Sequence, residues 1–349
     1  MINLGTYLIS RDHSPFVIAE MSGNHNQSLD RALAIVDAAA DAGAHAIKLQ
    51  TYTADTMTLD LDGPGFRIDD PNSLWHGQTL YKLYEQASTP WEWHAPLFER
   101  AKDRGLVAFS TPFDETAVEF LESLDVPCYK IASFENTDLQ LIRRVAATRK
   151  PLIMSTGMAT LGELKASVTA ARDAGCNDLI LLKCTSAYPA TAADANLVTL
   201  PHLRDMFHCE VGLSDHTMGV SVAVAAVAYG ATVIEKHFTL ARADGGVDSA
   251  FSLEPAELAT LVSETRQAWA ARGRVVYGPQ SKSEKAAVQF RRSLYFVRDL
   301  KAGDTIEEPH VRAIRPGLGL PPSTLEDLVG RRLKRSVCRG TPVTSEVLE

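Results

Sequence analysis

The sequence lacks long hydrophobic runs, a secretory leader and closely spaced cysteine pairs. Its longest weakly polar stretch covers residues 219–234 and is shorter than the roughly 20 residues that span a bilayer. The first sixteen residues, MINLGTYLISRDHSPF, have no basic segment followed by an apolar one, as a signal peptide would. Five cysteines without a C-x-x-C pair favour free thiols over a disulfide or zinc framework. We therefore expect a cytoplasmic protein without a membrane partner.

The sequence also lacks an excess of positive charge, since 43 acidic residues outnumber 35 lysines and arginines. The formal net charge is −8, which argues against a nucleic-acid or anionic-membrane surface but leaves room for a local basic pocket. The hydrophobic fraction of 45% and the charged fraction of 22% are ordinary for a soluble globular protein. A chain of 349 residues is long enough for one large and one small domain. Small molecules are the expected partners.

Short β-rich segments alternate with alanine-rich segments of helical spacing. Strands of a closed parallel barrel are buried on both faces, so their sequences are nearly continuous apolar runs. Eight such units over the first part of the chain predict a (β/α)₈ barrel, with an open doubly wound sheet as the alternative fold. The eight segments are FVIAEMSGNH, HAIKLQTY, LVAFSTPF, CYKIASFE, PLIMSTGM, DLILLKCTS, EVGLSDH and ATVIEKHF.

The pattern changes twice along the chain. Residues 52–105 are far longer than one βα connection needs, so this insertion is predicted to lie over the C-terminal face of the barrel as part of a lid. After residue 287 the helices give way to short strands broken by glycine and proline turns. The predicted organisation is a barrel over residues 1–275, a linker over 276–287 and a small β-clip domain over 288–349.

Two lysines stand inside apolar strand segments, Lys48 in AIKLQ and Lys130 in YKIAS. Lysine is almost never fully buried without a partner, so both are predicted to point into the barrel. With strand-end hydroxyl groups they would bind a phosphate group. The alternatives are a structural ion pair of one lysine with Glu20 or Glu135, and a Schiff-base nucleophile as in aldolases. The hydroxyl groups are those of Thr111, Ser133, Ser155 and Ser214.

Two histidines end consecutive predicted strands, His216 in GLSDH and His237 in IEKH. Neighbouring strands lie about 5 Å apart, so both imidazoles could reach one metal ion. Oxygen or water ligands would complete the shell of Mn²⁺, Fe²⁺, Co²⁺ or Zn²⁺, and the residue types do not choose among them. Glu235 and Lys236, which precede His237, are predicted to form a supporting pair in the barrel wall.

Seven ordered motifs make the chain resemble the sialic acid synthase family over essentially its whole length. They are FVIAEMSGNHNQ, AIKLQTY, FSTPFD, YKIAS, MSTGM, GLSDHT and IEKHFT, with IRPGLG near the C-terminus. The resemblance implies a (β/α)₈ TIM barrel followed by an antifreeze-like (SAF) domain and a domain-swapped homodimer. It also implies that phosphoenolpyruvate condenses with an amino-sugar aldehyde.

Matching positions give the residue roles that the resemblance implies. His216 and His237 would bind a divalent metal, typically Mn²⁺, with Mg²⁺ or Co²⁺ as alternatives. Glu20 and Glu135 would handle protons or stabilise the cation that forms, and Arg315 would reach from the small domain into the partner's barrel. The phosphoenolpyruvate residues would be Lys48, Thr111, Lys130, Ser133, Ser155 and Ser214, and the sugar residues Glu20, Gln50, Phe113, Tyr188 and Asp248.

One position departs from the family pattern. Sialic acid synthases carry Thr-Asn before the tyrosine after strand six, whereas this chain has Ser186 in CTSAYPA. Serine offers a shorter hydroxyl in place of an amide, so a different sugar is expected. With the insertion, this favours the pseudaminic branch and its 2,4-diacetamido-2,4,6-trideoxy hexose. Sugars leading to sialic or legionaminic acid remain alternatives, as do a Schiff-base aldolase and a sugar-binding protein without catalysis.

Overall fold

Two strands at opposite ends of the first domain pair in parallel and close a barrel. β3 (Phe16–Glu20) pairs with β10 (Val233–His237), and His237 lies opposite Glu20 in the register. The predicted (β/α)₈ fold is therefore confirmed. A computed structural model describes residues 1–349, which form two units, Met1–Gly273 and Arg274–Glu349. The other barrel strands are β4 (Ala46–Thr51), β5 (Val107–Pro112), β6 (Tyr129–Ile131), β7 (Leu152–Ser155), β8 (Leu179–Cys184) and β9 (Glu210–Asp215).

Helices follow the barrel strands and cover them. Several begin at a side-chain cap, which satisfies free N–H groups of the first turn: Ser28 accepts from Arg31 N, and Thr160 forms a capping box with Glu163. None of the helices combines the length and apolar character needed to cross a bilayer. They are α1 (Leu29–Asp41), α4 (His94–Asp103), α5 (Glu115–Ser123), α6 (Leu139–Ala146), α7 (Leu161–Asp173), α8 (Thr199–Phe207), α9 (Ser221–Ala228) and α10 (Pro255–Arg272).

The side chains of each strand alternate between the barrel interior and the helices, as the strand period of two requires. In β10, Val233 packs in the interior cluster, whereas Ile234 belongs to the cluster shared with the helices. Glu235 and His237 continue the interior row, and Lys236 lies on the helix side. Polar interior residues therefore gather at the C-terminal ends of the strands, the mouth of the barrel.

A layer of apolar side chains fills the interior below the mouth. It consists of buried residues from several strands, and a hairpin of β1 (Ile2–Leu4) and β2 (Tyr7–Ile9) packs against it from the N-terminal side. Gly212 belongs to this layer: a Cβ there would lie 2.2 Å from the Val233 carbonyl oxygen. This lower layer includes Phe16, Ile18, Phe109, Ile153, Leu182 and Val233.

The insertion between β4 and β5 has secondary structure of its own. It contains α2 (Ala54–Met57), α3 (Leu80–Ala87) and a short 3₁₀ helix (Trp91–Trp93) before α4. An isolated antiparallel bridge joins Arg67 to Thr79, and the Arg67 guanidinium pairs with Asp62 at 2.5 Å. The segment is thus internally braced by backbone and charge contacts.

The second unit contains few regular elements. β11 (Ser293–Phe296) and β12 (Val311–Ile314) pair antiparallel, and α12 (Leu325–Leu328) is a single turn. The segment predicted as a linker, 276–287, includes the short helix α11 (Lys282–Ala287). The unit has its own apolar core, whose fully buried members are Leu294, Phe296, Ile306, Leu333, Val343 and Val347.

Candidate active site

A buried carboxylate lies between two buried lysines at the mouth. The Nζ atoms of Lys48 and Lys130 are 4.0 Å and 3.5 Å from the Glu235 carboxylate oxygens, and the Ser214 hydroxyl donates to Glu235 at 3.2 Å. Although burial acts in the opposite direction, the two ammonium groups lower the pKa of Glu235. The expectation that Glu235 belongs to the barrel wall is therefore wrong, because its side chain points into the mouth.

Lys48 also forms an ion pair with Glu20. Its ammonium group donates to the Thr111 hydroxyl at 3.2 Å, and Gln50 Nε2 donates to Glu20 at 3.2 Å. Burial raises the pKa of Glu20 to about 7, although the Lys48 charge opposes this. The lysine thus has the ion-pair partner that the sequence suggested and still faces the mouth.

Lys130 donates to the Ser155 hydroxyl at 2.8 Å. Burial lowers the pKa of Lys130, and the Glu235 charge partly offsets the effect. Beside it, the backbone N–H of Gly157 donates to the Ser133 hydroxyl at 3.1 Å. A Cβ at Gly157 would lie 2.3 Å from Ser186 Oγ, so only glycine lets this hydroxyl approach the loop.

The two histidine rings lie side by side on adjacent strands. Their centroids are 5.3 Å apart, and Phe251 packs on both. His216 Nδ1 is 2.9 Å from the Thr185 carbonyl oxygen, so this nitrogen carries a proton. Although burial acts in the opposite direction, Cys184 and the Thr185 carbonyl group raise the pKa of His216. Burial and nearby positive charges lower the pKa of His237 well below its ordinary value, and its Nδ1 has no hydrogen-bond partner.

Both imidazoles therefore have the properties of metal ligands. His237 is neutral, and each ring offers a nitrogen without a hydrogen-bond partner. Metal-binding histidines usually donate their other ring N–H to a carbonyl or carboxylate oxygen, as His216 does to Thr185. His237 Nδ1 lies 3.7 Å from an Asp248 carboxylate oxygen. No group of three or more His, Cys, Asp or Glu side chains in the chain is arranged around one point, so water or substrate oxygens would have to complete a coordination shell.

Aromatic residues flank the histidines. The Tyr188 ring centroid is 4.5 Å from His216 and 5.9 Å from Trp75, and the Trp75 indole donates to the Val247 carbonyl oxygen at 2.9 Å. The insertion thus reaches the mouth through one tryptophan. On the opposite strands, Phe113 packs edge-on against Tyr52 at 5.1 Å.

Two of the predicted residues are placed differently from the rest. Glu135 follows β6 and is half-buried, and one of its carboxylate oxygens has no partner. Burial raises the pKa of Glu135 to about 7, although Lys130 opposes the shift. Arg315 belongs to the second unit, where its side chain is exposed and makes no ion pair within the chain.

Two further lysines point away from the mouth. Lys236 donates to Asp215 at 2.9 Å and to the carbonyl oxygens of Thr217 and Gly219 at 2.5 and 2.8 Å. Lys183 donates to Thr185 Oγ1 at 2.8 Å on the outer side of β8. Lys236 thereby fixes the loop that carries His216, and neither lysine is placed to form a Schiff base in the barrel.

Cys184 and Ser22 join the site without having been predicted. Cys184 Sγ lies 3.9 Å from His216 Nδ1; burial alone would raise the pKa of this thiol, but His216 and Ser133 lower it to about 7. The Ser22 hydroxyl donates to Asp248. Period-two alternation from Leu182 would have placed Cys184 in the interior, just as alternation from His237 would have placed Glu235 there.

The barrel and its mouth define an enzyme: ammonium groups, carboxylates and imidazoles converge where (β/α)₈ enzymes carry their active sites. The chain belongs to the NeuB family, whose model matches residues 35–277, and a SAF domain model matches residues 291–349. The predicted resemblance to the sialic acid synthase family and the predicted SAF domain are therefore confirmed.

Three proteins illustrate the similarity of this chain to known synthases. A pseudaminic acid synthase from Campylobacter jejuni is 44% identical over 93% of this chain and 94% of its own. An N,N'-diacetyllegionaminic acid synthase from Legionella pneumophila is 36% identical over 96% and 94%. The crystal structure of N-acetylneuraminic acid synthetase from Leptospira borgpetersenii, in complex with citrate, has 33% identity and a TM-score of 0.73, covering 83% of this chain and 95% of the other.

Proposed function

We propose that this chain is a pseudaminic acid synthase. It would condense phosphoenolpyruvate with 2,4-diacetamido-2,4,6-trideoxy-β-L-altropyranose and water, giving pseudaminic acid and phosphate. The observation that carries the proposal is the pair of buried lysines, each hydrogen-bonded to a hydroxyl group, beside two adjacent imidazoles. The identity of 44% to a pseudaminic acid synthase, against 36% to a legionaminic acid synthase, favours this sugar. Synthesis of legionaminic or N-acetylneuraminic acid is the alternative.

Phosphoenolpyruvate would bind at the two lysines. Its phosphate and carboxylate groups are anionic, and Lys48 and Lys130 are the cations of the mouth. Hydroxyl groups can donate to the remaining oxygens, and such fixed donors hold a reacting group in one orientation. The donors would be Thr111, Ser133, Ser155 and Ser214.

His216 and His237 would hold a divalent metal ion, most simply Mn²⁺, with Mg²⁺ or Co²⁺ as alternatives. The neutral ring and the unpartnered Nδ1 of His237 suit such an ion. When bound, the ion would supply Lewis acidity toward the aldehyde of the open-chain sugar. Asp248, held by Ser22 and 3.7 Å from His237 Nδ1, would contact the sugar.

The bond-forming order follows from the two substrates. C3 of phosphoenolpyruvate attacks the aldehyde carbon, whose oxygen takes up a proton and becomes a hydroxyl group, while positive charge develops at C2. Water adds to C2 and gives up one proton. Phosphate then leaves from the tetrahedral intermediate with the second proton, and C2 becomes a ketone. Glu135 and Glu20 are the carboxylates that could take the proton of this water and stabilise the cation. Both have a pKa of about 7, which suits proton transfer at neutral pH.

The sugar would lie between the imidazoles and the insertion. Tyr188 and Phe113 offer aromatic faces, Gln50 a carboxamide and Ser186 a hydroxyl. The shorter Ser186 side chain fits against Gly157, where a bulkier asparagine would need another arrangement. This supports a sugar other than N-acetylmannosamine.

A phosphate-release assay tests the function. Purified protein is incubated with phosphoenolpyruvate, Mn²⁺ and a panel of 2-acetamido and 2,4-diacetamido hexoses, with chelator-treated protein as the control. The altro-configured diacetamido sugar should give the highest kcat/KM, and chelation should abolish turnover. Highest activity with another sugar of the panel would replace the substrate, and a covalent adduct trapped by borohydride without metal would favour a Schiff-base aldolase.

We further propose a cytoplasmic, domain-swapped homodimer in which Arg315 enters the partner's barrel. The exposed guanidinium without an ion pair in its own chain supports this. Arg315→Ala and His237→Ala proteins would each be inactive alone, but a mixture that exchanges subunits would regain activity, since one site of the heterodimer has both groups. A mixture as inactive as its components, despite subunit exchange, would contradict the swap.

A further inference from the structure

A cavity of about 490 Å³ lies beside the mouth, between residues 74–86 of the insertion and the turn at residues 246–250. Two of its lining residues are chain neighbours of site residues, since Gly23 follows Ser22 and Val247 precedes Asp248. None of the residues assigned above to phosphoenolpyruvate, metal or sugar lines it. The cavity is thus an additional space next to the reacting centre.

The polar lining is uncharged. Four carboxamide side chains, those of Asn26, Gln27, Gln78 and Gln86, face the cavity, and no lysine, arginine, histidine or acidic residue lines it. An anion would lose hydration there without gaining a counter-charge. The ligand group is therefore neutral, which excludes the phosphate and carboxylate of phosphoenolpyruvate.

The carboxamides offer acceptors more than donors. Gln27 Nε2 donates to the backbone carbonyl oxygens of Gln86 and Ser88 at 2.9 and 2.8 Å, and Asn26 Nδ2 donates to that of Gly245 at 3.2 Å. Their side-chain oxygens remain available, and Gln78 Oε1 is buried without a partner. A buried acceptor without a partner costs free energy, so a ligand N–H or O–H is the complementary group.

The remaining wall is apolar. Trp75 is fixed by its bond to the Val247 carbonyl oxygen, and Leu83 and Ala250 complete this side. An N-acyl group combines the two properties the cavity requires, because its N–H can donate to an amide oxygen while its alkyl end packs on the indole. A cavity of this volume can hold a whole small ligand, so one acetyl group would leave it partly empty.

We propose that this cavity binds one of the two N-acyl groups of the sugar and has room for acyl chains longer than acetyl. The inference rests on the proposed function, because it assigns a place to a group of the proposed substrate. The proposal predicts that acyl chains longer than acetyl are accepted at only one of the two sugar nitrogens. It also predicts that sugar affinity depends on residues remote from the lysines.

Ala250→Phe tests the space. Ala250 is exposed at the rim, so a larger side chain can fill the cavity without disturbing the core. Wild-type protein should use sugars that carry acetyl or butanoyl at the nitrogen whose acyl group enters the cavity, with KM values within about threefold of each other. The variant should raise the sugar KM at least tenfold, most for butanoyl, and leave the phosphoenolpyruvate KM unchanged. Ala147→Phe, at an exposed alanine outside the cavity, is the matched control.

Gln78→Leu tests whether the Gln78 side-chain oxygen accepts a hydrogen bond from the ligand, because leucine has nearly the same volume as glutamine. It should raise the KM of the acetylated sugar about fivefold, while circular dichroism and urea unfolding remain as in the wild type. Unchanged sugar KM values in both folded variants would overturn the inference alone. Wild-type protein that releases no phosphate with any amino sugar would instead overturn the proposed function, and the inference with it.

Discussion

The lower and upper layers of the barrel interior come from the same strands but have opposite character. Ile18 and Val233 belong to the apolar lower layer, whereas Glu20 and Glu235, two residues further along, belong to the upper one. Two residues correspond to about 6.6 Å of strand. The apolar layer closes the barrel from below, so the charges above it lie in a poorly hydrated space where electrostatic effects are strong.

This contrast between the two layers explains why the carboxylates of the mouth have unusual pKa values. Glu20 is 1% exposed and Glu235 4% exposed, and burial disfavours the charged form of each. Glu235 is held charged by two lysines, but the pKa of Glu20 rises to about 7 in spite of one. Chemistry in the upper layer therefore depends on the sealing provided by the lower one.

His237→Ala should have the largest effect, because it removes one of two ring donors from the upper layer. We expect kcat to fall at least 10³-fold, and Mn²⁺ binding measured by electron paramagnetic resonance to be lost in parallel. His202→Ala, on an exposed face of α8, should keep both. A His237→Ala protein with full activity would refute the ligand assignment.

Glu235→Gln should make the phosphoenolpyruvate KM more sensitive to pH, because it removes both a carboxylate that competes with the anion for the lysines and the charge that keeps Lys130 protonated. Glu235 is the main group that opposes the lowering of the Lys130 pKa, so without it more of the ammonium is deprotonated as pH rises. The ratio of the variant KM to the wild-type KM should therefore be higher at pH 8.5 than at pH 6.5, as steady-state kinetics at the two values would reveal. A pH-independent ratio, or the same ratio in the exposed control Glu119→Gln, would contradict this.

Glu135→Gln should lower kcat/KM about tenfold and change the pH profile. With a raised pKa of about 7, Glu135 is mostly protonated below pH 7 and mostly a carboxylate above it. If the carboxylate accepts the proton of the attacking water, wild-type kcat/KM rises with pH through this value, and the rise should be missing in the variant. A rise that persists there would transfer the role to Glu20.

Gly212→Ala should leave kcat nearly unchanged but destabilise the barrel. Its Cβ would lie 2.2 Å from the Val233 carbonyl oxygen and 2.7 Å from Leu182 Cδ2, and overpacking costs about 1–3 kcal/mol. Gly162→Ala in α7 meets no atom closer than 3.9 Å and should be neutral or stabilising, by up to about 1 kcal/mol. Urea unfolding monitored by fluorescence compares the two. Equal stability would mean that the lower layer is loosely packed.

The fold followed from local patterns, but part of the site did not. Apolar runs ending in polar residues predicted all eight barrel strands, because buried parallel strands and their functional ends leave this signature. The pair His216 and His237 could be anticipated, since adjacent strands bring them together. That Glu235 points inward follows from period-two alternation with His237, but its place between Lys48 and Lys130 could not be anticipated, because it depends on barrel closure, which brings β10 beside β3.

The N-terminal hairpin and the cavity show a second limit. Ile2 and Leu4 pack on the lower layer, yet the apolar pattern of a three-residue strand is too short to predict what the strand packs against. The acceptor oxygen of Gln78 becomes notable only when its burial without a partner is known. Such features depend on tertiary neighbours, which no local pattern records.

The lysine and glutamate pairs of the mouth also couple the binding of an anion to the uptake of protons from solution. A bound anion at Lys48 and Lys130 competes with Glu20 and Glu235 for the same ammonium groups. A carboxylate whose lysine turns toward the anion gains proton affinity, and Glu20 already has a pKa of about 7. Phosphoenolpyruvate binding near neutral pH should thus take up protons, and its calorimetric enthalpy should vary with the ionisation enthalpy of the buffer.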